Sequence, residues 1–95
     1  RVIAYTRSAA KTDFLRKLGA SEGVVAQQKA AAAVRKLAPR GCDGAIDCSG
    51  DTTMMRLCVD VLRRGGTFVP VAAEGPPVHM PITVGDCTRL ELNIR

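Results

Sequence analysis

Three short stretches carry residue types that could do chemistry. Thr6-Arg7-Ser8, with Lys11 just beyond, places hydroxyls, a guanidinium and an ammonium where a short apolar run stops. An arginine fork can hold a phosphate bidentately, and the start of a helix adds unpaired amides, so this stretch suits an anionic oxygen ligand. The plainer alternative is a capped turn with a solvated arginine. Cys48-Ser49-Gly50 closes a second apolar run, and Val71-Ala72-Ala73 closes a third. Asp47, just before the second of these ends, is of a type that often accepts bonds from neighbouring amides.

Other reactive side chains form no constellation. The four cysteines stand at 42, 48, 58 and 87, never as Cys-x-x-Cys, and the single histidine, His79, lies alone in a loop-like stretch. A zinc site needs converging ligands, so no metal site is expected. Cys48 and Cys58 read as reduced thiols packed like small hydrophobes, which points to a cytoplasmic setting. Met54 reads as core, whereas Met55 and Met80 have no assigned role. No residue is a credible proton donor, so catalytic residues are expected elsewhere.

The elements that must position these stretches follow from periodicity. Residues 2–6 form a strand. Ala10, Phe14 and Leu18, with Leu15 beside them, then give a helical apolar face capped by Ser8 and ended by Gly19. A strand at 23–26 follows, then a helix with Ala30, Ala33, Val34, Leu37 and Ala38 on one face, stopped by Pro39 and Gly41. Next come a strand at 45–48 and a helix capped by Asp51, with Met54, Leu57, Cys58, Val61 and Leu62 inward. Arg63-Arg64 fall in its last turn and Gly65-Gly66 end it. Thr67 to Ala73 form a fourth strand, with Pro70 inside it. Residues 74–88, with Pro76, Pro77 and Pro81, read as loop, and Glu91 to Ile94 begin a last strand.

Alternating strands and helices imply an α/β fold with a parallel sheet and right-handed crossovers. Such sheets bind ligands at the carboxyl ends of their strands, which are the three stretches above. Flavodoxin-like and methyltransferase folds satisfy the same pattern.

Bulk properties narrow the class. The chain has 95 residues, 46% of them hydrophobic and 3% aromatic, with no tryptophan, so the core is aliphatic and no aromatic platform for single-stranded nucleic acid exists. The net charge of +5 is dispersed from Arg1 to Arg95, which favours a mixed solvated surface over a nucleic-acid footprint. No apolar run is long enough to span a membrane. Arg1 leads directly into Val2-Ile3-Ala4 and Leu92–Arg95 reads as mid-strand, so a longer parent chain is expected.

The order of small motifs is more specific. Leu18-Gly19-Ala20, then Asp43-Gly44-Ala45-Ile46-Asp47 with Gly50, then Leu62 to Gly66 before a strand resembles the cofactor-binding domain of the medium-chain dehydrogenases/reductases, the zinc-type alcohol dehydrogenase and quinone reductase superfamily. The resemblance covers almost the whole chain. It implies a partial Rossmann-like, doubly wound parallel sheet over residues 1–95, lacking the first strand and the Gly-x-Gly-x-x-Gly turn. The catalytic domain lies outside this chain, and with it any zinc.

The resemblance also implies roles. Thr6, Arg7 and Ser8 face the adenosine ribose, with Lys11 close by. Ser49 and Gly50 border the adenine side of the cleft. Val71, Ala72 and Ala73 line the nicotinamide pocket. In dinucleotide folds an acid ending the second strand binds the ribose 2′-hydroxyl and repels a 2′-phosphate. Thr6 stands there and is not acidic, so NADP is favoured over NAD. Tyr5 lacks the lysine four residues on that short-chain reductases use. The expected parent is an oxidoreductase, a homo-oligomer, moving hydride to or from an alcohol, carbonyl or activated alkene. The rival reading is a non-catalytic nucleotide-binding or interaction module on the same fold.

Overall fold

The computed structural model describes residues 1–25, 30–71 and 80–95. The chain divides into two units, Arg1–Leu37 and Ala38–Arg95. Both are built from parallel strands joined through helices.

In the first unit, β1 (Ile3–Thr6) pairs in parallel with β2 (Glu22–Val25), in the register Ile3 with Glu22 through Thr6 with Val25. A 3-10 turn at Ala9–Lys11 leads into α1 (Thr12–Lys17). The helix closes with Gly19 N donating to the Arg16 carbonyl and Ala20 N to that of Leu15, the paired bonds of a Schellman ending. Gly19 therefore ends this helix as its sequence position implies. Arg1 meets Glu22 across the strand pair, Nη2 to Oε1 at 2.9 Å, and this contact lowers the Glu22 carboxyl below its ordinary value.

The apolar face expected on this helix differs from the observed packing. Phe14 is 59% and Leu18 69% exposed, and Ala10 is exposed too. Burial in this unit instead comes from Val24 with Ala30 and Val34 of α2 (Ala30–Leu37). Both belong to the stripe read from the sequence.

In the second unit the strand order is β3 (Cys42–Asp47), β4 (Leu62–Pro70), β5 (Asn93–Ile94), all parallel. On one face lies α3 (Thr52–Asp60), whose first turn is capped by Asp51 accepting from Thr53 N at 2.7 Å, as its sequence position implies. The core is Met55, Val59, Leu62 and Phe68, with Cys58, Ala45, Ile82 and Leu90 packed round it. Phe68 is fully buried, so Phe68→Ala would cost about 3–5 kcal/mol. The inward methionine is thus Met55, not Met54. Two apolar stripes run along α3, and packing round Phe68 takes the one through Met55 and Val59, with Leu62 joining the cluster from β4.

Two further expectations are corrected. Arg63-Arg64 lie in β4 rather than in a helix end, because α3 stops at Asp60. They form a bulge: between the pairs Cys42–Leu62 and Gly44–Thr67, β3 advances two residues while β4 advances five. Gly41 makes this bulge possible. A Cβ there would sit 2.7 Å from Arg63 N, and its φ of 86° suits glycine alone. Asp43 binds Arg63 Nε at 2.7 Å and Glu91 binds Arg64 Nη2 at 2.7 Å.

Residues 84–88 are helical rather than loop. The helix α4 (Val84–Leu90) begins with a capping box in which Thr83 Oγ1 accepts from Asp86 N and Asp86 Oδ2 accepts from Thr83 N. Among the described residues, no helix is long and apolar enough to cross a membrane.

Candidate functional site

The first candidate group sits where β1 ends. Thr6 Oγ1 accepts a bond from Ser8 N at 3.2 Å, and Lys11 N donates to the Ser8 carbonyl at 3.1 Å. The Ser8 hydroxyl makes no cap bond, contrary to expectation. Thr6 Oγ1 holds instead the amide of Ser8, the residue just before the 3-10 turn. Thr6 and Ser8 are half-buried, while Arg7 and Lys11 are exposed. The turn is therefore organised by two neutral groups and presents two cationic side chains.

The second group surrounds the carboxyl ends of β3 and β4. Asp47 is only 3% exposed. Its Oδ1 accepts from Ser49 N at 3.1 Å and from Ser49 Oγ at 2.6 Å, and its Oδ2 accepts from Gly50 N at 3.0 Å. Ser49 Oγ in turn accepts from Asp51 N at 3.1 Å. Gly50 takes φ 72°, the left-handed conformation that lets the chain turn from strand to helix. On the main chain, Asp47 lies opposite Pro70, which has no amide, and Val71 N supplies the bond to the Asp47 carbonyl at 2.8 Å. Pro70 is thus accommodated at the last ladder position, and Ser49, Gly50 and Val71 are drawn together round one carboxylate residue. Ala72, Ala73 and His79 lie outside the described residues.

Thr6 ends β1 with Arg7 and Ser8 directly after it, and Lys11, expected one turn into the following helix, closes the 3-10 turn before α1. They belong to the first unit, whereas Ser49, Gly50 and Val71 belong to the second. Sequence reasoning gave Asp47 a backbone-bonding role and underrated how many partners that role joins. The available signal was Asp47-x-Ser49-Gly50, an acid two residues before a hydroxyl and a glycine, which favours a side-chain-closed turn.

The thiols divide by environment. Cys48 is exposed, not packed as expected, because the strand ends at Asp47. Burial against the core pushes the Cys58 thiol up to about 11. Among the described residues, no group of three or more His, Cys, Asp or Glu side chains could hold a metal ion, so they do not fit a zinc centre.

A ladder of parallel strands with crossover helices and turn-lined carboxyl ends defines a Rossmann-like α/β domain of the kind found in alcohol dehydrogenases. A family model described as zinc-binding dehydrogenase matches residues 1–95, and the chain belongs to that family, as a segment of the cofactor-binding domain of a medium-chain dehydrogenase/reductase. Among solved structures, the crystal structure of AibC is 33% identical, with TM-score 0.82 over 99% of this chain and 28% of its own. A putative zinc-binding dehydrogenase from Sinorhizobium meliloti, bound to NADP, is 26% identical, with TM-score 0.82 over 98% of this chain and 28% of its own. The alcohol dehydrogenase of the hyperthermophilic archaeon Aeropyrum pernix is 23% identical, with TM-score 0.86 over 98% and 26%. The chain therefore spans little more than a quarter of each of these proteins. No curated protein sequence matches it.

Proposed function

We propose that this segment orients a nicotinamide cofactor, with NADP(H) preferred, in an oxidoreductase that moves hydride to or from a small alcohol, carbonyl or activated alkene. The observation that carries the preference is the end of β1. The residue there is Thr6, not an acid, and exposed Arg7 and Lys11 follow. A carboxylate at this position would accept from a ribose 2′-hydroxyl, whereas a guanidinium favours a 2′-phosphate. Similarity to a relative bound to NADP supports the same reading. Ser49 and Gly50 border the adenine side, and Val71, Ala72 and Ala73 belong to the nicotinamide side. The bound cofactor supplies the redox chemistry, and this segment supplies binding and orientation. The proton donor or acceptor for substrate lies on other residues of the parent, which acts as a homo-oligomer on small molecules.

The test is cofactor choice in the full-length protein, by kcat/KM and by direct binding. NADPH is expected to exceed NADH by roughly a hundredfold, from about 1.5–3 kcal/mol for a hydrogen bond to a charged group. Arg7→Ala is expected to weaken NADPH binding and leave NADH nearly unchanged. Equal use of both cofactors, unaltered by Arg7→Ala, would leave the turn as a helix entry only.

A further inference from the structure

We propose that Asp47 is a positioning residue for the cofactor, holding the adenine-side and nicotinamide-side strand ends in one fixed relation; this rests on the cofactor-site reading above. Asp47 is nearly sealed from solvent, and among the described residues the donors to its carboxylate are Ser49 and Gly50 of the turn that follows it. A buried carboxylate satisfied by the turn that follows it shapes that turn. Its main chain does something separate. The Asp47 carbonyl receives Val71 N, the last ladder bond before β4 leaves the sheet. One residue therefore sets the Ser49–Gly50 turn with its side chain and the exit of β4 with its backbone.

The same bonds fix the polarity of Ser49. A carboxylate accepts only, so the Ser49 hydroxyl proton is directed at Oδ1. Its oxygen already accepts from Asp51 N. Toward a ligand Ser49 can then act as an acceptor alone. The amides of Ser49, Gly50 and Asp51 are also engaged within the turn. These three amides are therefore not free to donate to a phosphate.

Replacing the carboxylate with an amide tests this. An asparagine can accept from one of the two amides but must turn its NH2 toward the other or toward the hydroxyl. The full-length protein carrying Asp47→Asn is expected to bind NADPH and NADH about tenfold more weakly, both to the same extent, with kcat at saturating cofactor within about twofold of wild type. Ser49→Ala, which removes the hydroxyl links and leaves both amide bonds, is expected to weaken both by about threefold. It remains informative if Asp47→Asn fails to fold. A merely structural role would lower the melting temperature and leave the dissociation constants unchanged well below it. Unchanged dissociation constants in both variants, or a fall in kcat with cofactor binding intact, would overturn the proposal. Wild-type protein binding neither cofactor would overturn the underlying reading and this proposal with it, whereas wild-type binding with unaffected variants overturns this proposal alone.

Discussion

Arg56 on α3 donates from Nη1 to Asp86 Oδ2 on α4 at 2.7 Å, and the same nitrogen donates to the Pro81 carbonyl at 3.1 Å. Asp60, one turn along α3, takes Arg56 Nε at 3.0 Å. Asp86 is 5% exposed and also closes the capping box with Thr83. One guanidinium thus fastens the segment entering α4 to the helix that covers the sheet. Breaking such a pair from one side strands a buried charge.

Acid should expose this bond. The Arg56 guanidinium, with help from Thr83 N, holds the Asp86 carboxyl well below the usual carboxylate range. The unfolded chain takes up a proton near the ordinary value of about 3.9 while the folded chain does not, so stability rises with pH there. The contribution is complete at neutral pH and is lost as pH falls below about 4. Wild-type protein should lose more stability between about pH 5 and pH 2 than Asp86→Asn, measured by denaturant titration at each pH. Parallel curves would assign acid sensitivity to other groups.

At the end of β1, Thr6→Asp should reverse cofactor choice in the full-length protein. The new carboxylate accepts from a 2′-hydroxyl and repels a 2′-phosphate. Starting from a preference of roughly a hundredfold, the kcat/KM ratio of NADPH to NADH should fall below one. A ratio that stays above ten would move the discrimination to Lys11 or beyond this turn.

Thiol labelling should follow burial. A rise of the Cys58 thiol to about 11 from its ordinary 9.0 leaves about a hundredfold less thiolate at mild alkaline pH. Iodoacetamide at pH 8 should therefore label the exposed Cys48 and Cys87 first, read by peptide mass spectrometry over time. Early labelling of Cys58 would mean that α3 opens readily from the sheet.

Residues 1–95 taken alone should associate. Among the described residues β1 pairs only with β2, and β3 only with β4. Ile46, next to the last residue of β3, is 66% exposed, as are large parts of Phe14 and Leu18. Open strand edges beside apolar surface promote pairing between chains. Size-exclusion chromatography should show oligomers or aggregate, and a sharp cooperative melt from a monomer would refute this.

Much of this molecule is legible in its sequence, and the failures share a cause. The strands through Tyr5, Val24, Ile46 and Phe68 show as short apolar runs, and Asp51 marks its helix start correctly. α4 was hidden because three prolines dominate the preceding stretch and its box uses Asp86 where glutamate is commoner. Arg63-Arg64 read as helix-ending cations because the contact that decides their fate, with Gly41, is more than twenty residues away in the chain. Met55 displaced Met54 for the same reason: Phe68 chooses between two equally apolar stripes. Of the candidate site, the turn at Thr6 is local and could be read. The role of Asp47 depends on a ladder bond to Val71, which no local pattern contains.

The bulge at Arg63 to Gly65 has a consequence at the other end of its strand. If the three extra residues were instead taken up in a regular ladder continuing from Cys42–Leu62, Thr67 rather than Pro70 would lie opposite Asp47. β4 would then run about 10 Å further past the end of β3, at roughly 3.3 Å per residue. Val71 would leave the Asp47 carbonyl behind, and Phe68 would lose its place beside Ala45. The two arginines and their glycines thus act as a shim, inserted at the foot of the sheet, that levels its working edge.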